Sequence, residues 1–371
     1  MSELPSDSSS IHPIFIVGYM HSGTTLLLDI LSRHSKIFAS KGETKFFEIL
    51  PMIKHSFPDL NDPTIKKNFL IYCLHNILLG DQIFLEQPIS QDTILPKVEF
   101  SDLFQKLQPF TDYALIYTFV FEYLAKRAGK TYWLEKTPTH IFAIDQIIKY
   151  APTTSFIEVV RDPRAVLASK KVRRASVWTD RYTETQRPIK NFEKAYDPLW
   201  DTISWKSAIR AGLRAGRHYP HSIFHVRYED LVTEKEATLH KVCEFLALPY
   251  EPTILDVSTG NTAYVSEKDF MGISDKFVSR WKNELVSGEI NFPQLVARSE
   301  MQIHGYPMVA TSFSSWMLSI GYFFKSLLEF FVRLYRRYRL GGTQYLKTVI
   351  KNYQSRFKQL FLLLLVISVY I

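Results

Sequence analysis

Residues Ile14 to Leu31 read IFIVGYMHSGTTLLLDIL, and the way this stretch folds decides the architecture of the chain. Four of its first five residues are apolar and favour a strand; a turn bounded by Gly18 and Gly23 follows, then an apolar run at helical spacing. Strand, phosphate-sized loop and helix in that order open a nucleotide-binding α/β sheet. The glycines have the spacing G-x-x-x-x-G-K-[ST], in which lysine reaches the terminal phosphates of a triphosphate and the next hydroxyl holds magnesium. Here Thr24 stands at the lysine position. What remains is a set of backbone N–H groups, a helix N-terminus and the hydroxyls of Ser22, Thr24 and Thr25, a group suited to an oxyanion bound without metal.

Composition bounds what such a loop can serve. A chain of 371 residues, 46% hydrophobic and 14% aromatic, can bury one large core or two modest ones. The formal charge of +8 suits an anionic partner: a nucleotide, an acidic glycan or anionic lipid. Nucleic acid is not expected, because no recognition motif accompanies the basicity. Cys73 and Cys243 both lie in apolar stretches and are read as core residues of a reducing, cytoplasmic compartment, with no disulfide framework and no zinc site. The opening MSELPSDSSS, residues 1–10, has no apolar signal segment and is expected to be a disordered tail.

From 11 to 306, strands and helices alternate as in an α/β domain. SKIFAS reads as a second strand, and Pro51 to Lys130 as helices cut into short pieces by prolines at 51, 58, 63, 88, 96 and 109. YWLEKTP restores a strand. In SFIEVVRDPRAVLASKKVRR, Ser155 to Val160 forms another, Arg161-Asp162 its exit, and Pro163 the first residue of a helix. SIFHVRYEDLV repeats the pattern. The expected fold is a three-layer one, a central, mainly parallel sheet flanked by helices, with ligands at the carboxyl ends of the strands.

At one of those ends the sequence places a cation, Arg161, where a magnesium-binding aspartate would be expected, although Asp162 comes next. Ser169 and Arg173 are four apart and share one face of the following helix. Arg161, Ser169 and Arg173 converge as a second anion site. Two anion sites on one nucleotide point to adenosine with a 3′-phosphate and a 5′-phosphosulfate rather than to ATP. The plainer readings are an ordinary strand-to-helix turn for the loop, an Arg161 pair with Asp162 or Glu158, and a solvated Arg173.

With these residues in this order, the chain resembles the PAPS-dependent sulfotransferases, in particular the branch that includes the protein-tyrosine sulfotransferases and many bacterial relatives. The resemblance runs from about Ile14 to Leu285 and is carried by GYMHSGTTLL, GETKFF, EKTPTH, VVRDPRAVLASKKVRR, VRYEDLV, CEFLALPYEP and SRWKNEL. It implies a P-loop-like fold and sulfuryl transfer from 3′-phosphoadenylyl sulfate (PAPS) to a hydroxyl acceptor, a glycan, peptide tyrosine, lipid or small molecule. Adenosine 3′,5′-bisphosphate (PAP) is then the product, and no metal takes part. Residue by residue, it puts the 5′-phosphosulfate on Ser22, Gly23, Thr24 and Thr25, and the 3′-phosphate on Arg161, Ser169 and Arg173. Tyr228 and Arg280 become nucleotide contacts, Glu43 the general base, Lys136 a cation near the reacting group and, across a gap, Ser274 a serine near the leaving group. The family's Pro-Arg or Pro-Lys before Ser-Gly-Thr-Thr is Met20-His21 here. His21 is therefore expected to act as an imidazolium at the bridging oxygen, stabilised by the dianionic nucleotide.

Several of these residues have structural alternatives. Glu43 could serve a helix dipole, Lys136 could be exposed, Glu229 and Asp230 could cap the next helix, and His140 reads as a structural hydrogen-bonding histidine. Residues 51–130 and 174–205, with Trp178, Trp200 and Trp205, are expected to shape the acceptor pocket. Residues 307–371 lie outside the resemblance. SFSSWMLSIGYFFKSLLEFFVRLYRRYRL sets an aromatic, apolar run before Arg333, Arg336, Arg337 and Arg339, and the final twelve residues are LFLLLLVISVYI. Neither run reaches the ~20 residues that span a bilayer, so a helical, membrane-peripheral extension is expected, with packing on the domain or across a homodimer as the alternative. Two other classes stay open, a P-loop kinase and a non-catalytic anion- or membrane-binding protein on the same scaffold. The kinase needs a lysine and a magnesium carboxylate that this sequence does not offer.

Overall fold

The computed structural model describes residues 11–80, 97–176, 196–257, 273–329, 331–332 and 335. Strand β1 (His12–Gly18) passes through the glycine-bounded loop into α1 (Thr24–Leu31) and on to β2 (Ile37–Ala39). A helical stretch follows, made of α2 (Phe46–Ser56), α3 (Pro63–Leu79), α4 (Lys97–Lys106) and α5 (Tyr113–Arg127). Next come β3 (Tyr132–Lys136), a 3₁₀ turn over Pro138–Phe142, α6 (Ile144–Tyr150) and β4 (Ser155–Val160). The chain continues through α7 (Pro163–Ser176) and α8 (Pro198–His218) to β5 (Ile223–Arg227). After β5 lie α9 (Tyr228–Thr233), α10 (Lys235–Phe245), α11 (Trp281–Glu284), α12 (Ser287–Val296), α13 (Arg298–Ile303) and a helix over 313–329.

The strands form one five-stranded sheet in the order β2-β3-β1-β4-β5. The β1–β3, β1–β4 and β2–β3 pairs are all parallel. This is the expected fold class, a central parallel sheet with flanking helices. The order puts β1 in the middle, and Ile14, Phe15, Ile16 and Val17 are all fully buried there. A strand covered on both faces needs an unbroken apolar run, which is why IFIV does not alternate. Phe15 meets Trp133 edge-on at 5.3 Å, and Trp133 stacks on Phe121 at 4.4 Å, so β1, β3 and α5 share one aromatic core.

The prolines behave less uniformly than the sequence reading expects. Pro63 starts α3 behind Asp62, whose carboxylate accepts the Thr64 and Ile65 N–H groups. Pro51, expected to break a helix, lies inside α2. It forfeits one backbone donor there, but Phe46, Phe47, Leu50 and Ile53 bury one face of the same helix and hold it through the gap. Pro88 and Pro96 fall outside the described residues, as does the expected tail over 1–10.

By internal contacts the chain divides into two compact units. One comprises Met1–Val159, Arg214–Val226 and Glu234–Thr259; the other comprises Val160–Leu213, Arg227–Thr233 and Gly260–Ile371. The glycine loop belongs to the first, and the helix that begins at Pro163 to the second.

Gly18 closes β1 at φ 142, and a Cβ there would lie 2.6 Å from the carbonyl oxygen of Val159 on β4. No side chain fits between those strands, and only glycine adopts that backbone without strain. Gly18→Ala is expected to lower stability by about 2 kcal/mol or more, read as an earlier urea midpoint; an unchanged midpoint would mean that β1 and β4 separate without cost.

Candidate functional site

The loop after β1 joins the end of a buried strand to the N-terminus of α1. Its backbone leaves Gly18, turns with a Ser22 N–H to Tyr19 C=O bond of 3.2 Å, and reaches α1 through Gly23 at φ 96. His21 holds φ 65, a left-handed conformation that costs a non-glycine residue about 1 kcal/mol or more. Helix α1 has no side-chain cap and no acidic residue in its first turn, so no carboxylate opposes an anion at its positive end. Thr24 is buried and Thr25 half-buried. Ser22 is fully buried, and its hydroxyl has no hydrogen-bond partner among the described residues. A buried hydroxyl left so costs about 1–3 kcal/mol, unless a ligand completes it.

In the same unit, Lys136 and Glu43 form an ion pair, Nζ to Oε1 at 2.8 Å. Lys136 ends β3, in register with Ile16 of β1, and so lies at the sheet edge from which the loop leaves. Its side chain is 5% exposed and that of Glu43 36%, so the cation is buried, against the reading that Lys136 could be exposed, while the carboxylate faces solvent. Both stand on a rigid base. The fully buried Glu135 carboxylate accepts from the hydroxyls of Thr44 at 2.9 Å and Thr137 at 2.5 Å, and from His140 Nδ1 at 3.0 Å. The Lys45 N–H donates to Thr137 Oγ1, and the Phe47 N–H to His140 Nε2 at 3.3 Å. Because Nε2 accepts, the imidazole hydrogen sits on Nδ1 and is shared with Glu135. His140 is thus structural, and Glu135 straps the segment after Glu43 to the segment after Lys136. Burial pushes the Glu135 carboxyl up, but His140, Thr137 and Thr44 outweigh it and hold it below its usual 4.5.

The second unit holds the other candidates, beginning with Arg161, which directly follows β4. Its guanidinium lies 4.1 Å above the Tyr228 ring and donates to the Phe277 carbonyl oxygen at 3.3 Å. The Trp205 indole N–H donates to the Arg161 carbonyl at 3.0 Å. Asp162 caps α7 at the Arg164 N–H and grips the Arg164 guanidinium, and Glu158 accepts from His225 at 2.7 Å. Arg164 in turn stacks on Trp281 at 4.1 Å. The segment 277–281, which carries Arg280, is therefore joined to the β4 exit at both ends. Arg280 itself bonds Glu284 at 3.4 Å. Ser169 is buried on α7, and Arg173 lies four residues further on, its side chain outside the described residues. Ser274 is only half-buried and accepts from the Lys276 N–H, a local turn bond that ties it to none of the others.

Three residues depart from their sequence reading. Trp205, expected in the acceptor pocket for its aromatic character, is 1% exposed and fixes the backbone of Arg161 instead. Trp200 is half-buried, and Trp178 lies outside the described residues. Glu229, expected to cap a helix, lies inside α9 and accepts the Asp162 N–H and the Tyr306 hydroxyl, each at 3.0 Å, so it holds the β4 exit to α9. The sequence reading gives Glu135 no role, although its place between Leu134 and Lys136 at a strand end is a signal for one.

A model described as the sulfotransferase family matches residues 13–252. Two curated relatives, the omega-hydroxy-beta-dihydromenaquinone-9 sulfotransferases Stf3 of Mycobacterium bovis and Mycobacterium tuberculosis, are each 25% identical over 258 residues, 64% of this chain and 63% of theirs. The chain thus spans a little less than two thirds of the length of those relatives. Among solved structures, the sulfotransferase domain of the Synechococcus PCC 7002 olefin synthase aligns with a TM-score of 0.48 at 17% identity, over 83% of this chain and 100% of that one.

Glu135 supplies a pH signature. A carboxyl held below 4.5 in the folded chain adds stability above that pH and surrenders it as the pH falls through the folded value. Glu135→Gln should therefore flatten the acid loss of stability below about pH 4.5, and Glu135→Ala should cost about 3 kcal/mol or more at neutral pH, both measured by chemical denaturation.

Proposed function

Because the chain belongs to the sulfotransferase family, we propose that it moves a sulfuryl group from 3′-phosphoadenylyl sulfate to a hydroxyl acceptor. The observation that carries this reading is Ser22, a buried hydroxyl without a partner among the described residues, at the uncapped start of α1. A phosphosulfate supplies the acceptor oxygens that this hydroxyl and the backbone N–H groups around it lack. The absent loop lysine favours the same ligand over a triphosphate. Arg161, Ser169, Arg173, Tyr228 and Arg280 are assigned to the 3′-phosphate and adenosine. Ser274 keeps only its place in the sequence pattern.

The chemistry follows from charge. As the acceptor oxygen forms its bond to sulfur, the bond from sulfur to the bridging oxygen breaks, its electron pair passes to the leaving bisphosphate, and the acceptor proton goes to Glu43. Lys136 holds one Glu43 oxygen at 2.8 Å and sets its orientation, and its charge offsets the negative charge that builds nearby. His21, strained at the loop, is assigned to the bridging oxygen. A proton transfer of this kind contributes about 10² to 10⁴-fold. No step calls for a metal. The hydroxylated menaquinone named for the mycobacterial relatives offers an alcohol of the required kind, and a glycan, tyrosine or small-molecule hydroxyl offers the same group.

Titration calorimetry with adenosine 3′,5′-bisphosphate should give micromolar binding, weakened at least tenfold in Arg161→Ala. Glu43→Gln should bind the bisphosphate unchanged and slow turnover by about 10² to 10⁴-fold, while His21→Ala should lower turnover at saturating donor. Activity is expected to persist in excess EDTA. Preference for magnesium-ATP over the bisphosphate would overturn the reading.

A further inference from the structure

The helix over 313–329 is built inside out. The residues it buries are polar: Ser315, Ser319 and Ser326. Ser319 Oγ accepts from Asn291 Nδ2 at 3.1 Å and donates to the Gly288 carbonyl, and Ser326 Oγ donates to Asp197 at 2.7 Å. Tyr322 and Phe323 add partly buried contacts against Leu199, Ile203, Phe292 and Val296. The approach is close: a Cβ on Gly288 would stand 3.0 Å from Leu318 Cβ. The helix is therefore seated on α12 by hydrogen bonds and a glycine, not by its most apolar face.

That face points away. Phe313, Met317, Ile320, Phe324 and Leu328 recur at three- and four-residue intervals, one stripe of a helix, and all are exposed, Phe313 by 80% and Leu328 by 67%. Phe331 and Tyr335 continue the same spacing and are also exposed. A contiguous stripe of large apolar side chains on a helix already anchored on its other side is an interaction surface, not a core that failed to form.

Charge identifies the partner. After Glu329 the sequence holds eight basic residues and no acidic one, which equals the whole formal charge of +8. Of the 45 basic residues, 37 lie before that point, against 37 acidic ones, so the rest of the chain is electrically balanced. An apolar helical stripe followed directly by a segment whose only charges are basic matches the two layers of a membrane surface, acyl chains below and anionic headgroups above. No helix among the described residues is long and apolar enough to cross a membrane, so the helix would lie on the surface. We infer that the outward face of the 313–329 helix, with the basic segment after it, docks the protein on an anionic lipid bilayer. A second copy of the chain would complement the stripe but not the charge, since two such segments repel.

Flotation of the full-length chain, exchanged out of detergent, tests this with vesicles of phosphatidylcholine alone and of a three-to-one mixture with phosphatidylglycerol. Recovery should be at least tenfold higher on the anionic vesicles. It should fall steeply between about 0.1 M and about 1 M salt, as the Debye length shrinks from about 10 Å to about 3 Å. The double variant Phe324→Glu, Leu328→Glu changes only exposed side chains; it should keep the wild-type melting temperature and lose at least tenfold in flotation. The inference is overturned if the anionic vesicles recover no protein, or if the variant floats as well as the wild type. It is overturned equally if light scattering shows a wild-type dimer that the variant splits while neither form floats, which would assign the face to a second copy.

Discussion

A carboxylate with no access to water has to be met on every side by donors, and Glu135 is met by segments that the chain would otherwise leave unconnected. Its oxygens take the hydroxyls of Thr44 and Thr137 and the ring hydrogen of His140. Thr44 is further tied to the Tyr117 hydroxyl at 2.8 Å, which carries the network into the aromatic core on α5. Removing any donor would leave a buried charge underpaid in hydrogen bonds, so the arrangement has few alternatives. Glu43 and Lys136 are each one residue away from a member of this network. Their pair at 2.8 Å inherits its geometry from a base that cannot shift.

The second unit solves a different problem, that of holding cations in a buried place. Arg164 is held by the Asp162 carboxylate and by the Trp281 ring. Arg161 meets a ring face and a carbonyl, those of Tyr228 and Phe277. Burial pushes the Glu229 carboxyl up, and its contacts with the Asp162 N–H and the Tyr306 hydroxyl use it as a structural acceptor.

Local periodicity made the strands legible. The runs that form β1, β3 and β4, and Pro163 as the first residue of α7, could be read directly because each is fixed by neighbours in sequence. Pro51 was misread because its tolerance depends on what α2 packs against, which no local rule contains. The same limit hides Glu135, since one of its donors, Thr44, lies 91 residues away in sequence, and it hides the place of Trp205, since an aromatic residue does not announce whether it lines a pocket or supports a backbone. In the 313–329 helix the alternation of serines and large apolar residues was visible. Which face turned inward was not, because Asn291, Gly288 and Asp197 decide it from elsewhere in the chain.

On the proposed reading, the sheet order accounts for the missing loop lysine. With β3 beside β1, the end of β3 comes to the edge from which the glycine loop leaves, and Lys136 supplies a buried cation there from a neighbouring strand. Thr24, at the position a P-loop lysine would take, is buried within the start of α1. Moving the cation from the loop to β3 also pairs it with a carboxylate, Glu43, which a triphosphate-binding lysine at the same edge would have no reason to hold. On the proposed reading the pair is the point of the change. A group that gives up a proton as it attacks sulfur needs a base and a counter-charge at one place, and the order β2-β3-β1 brings the end of β3, with its Glu43 pair, to the edge from which the loop leaves.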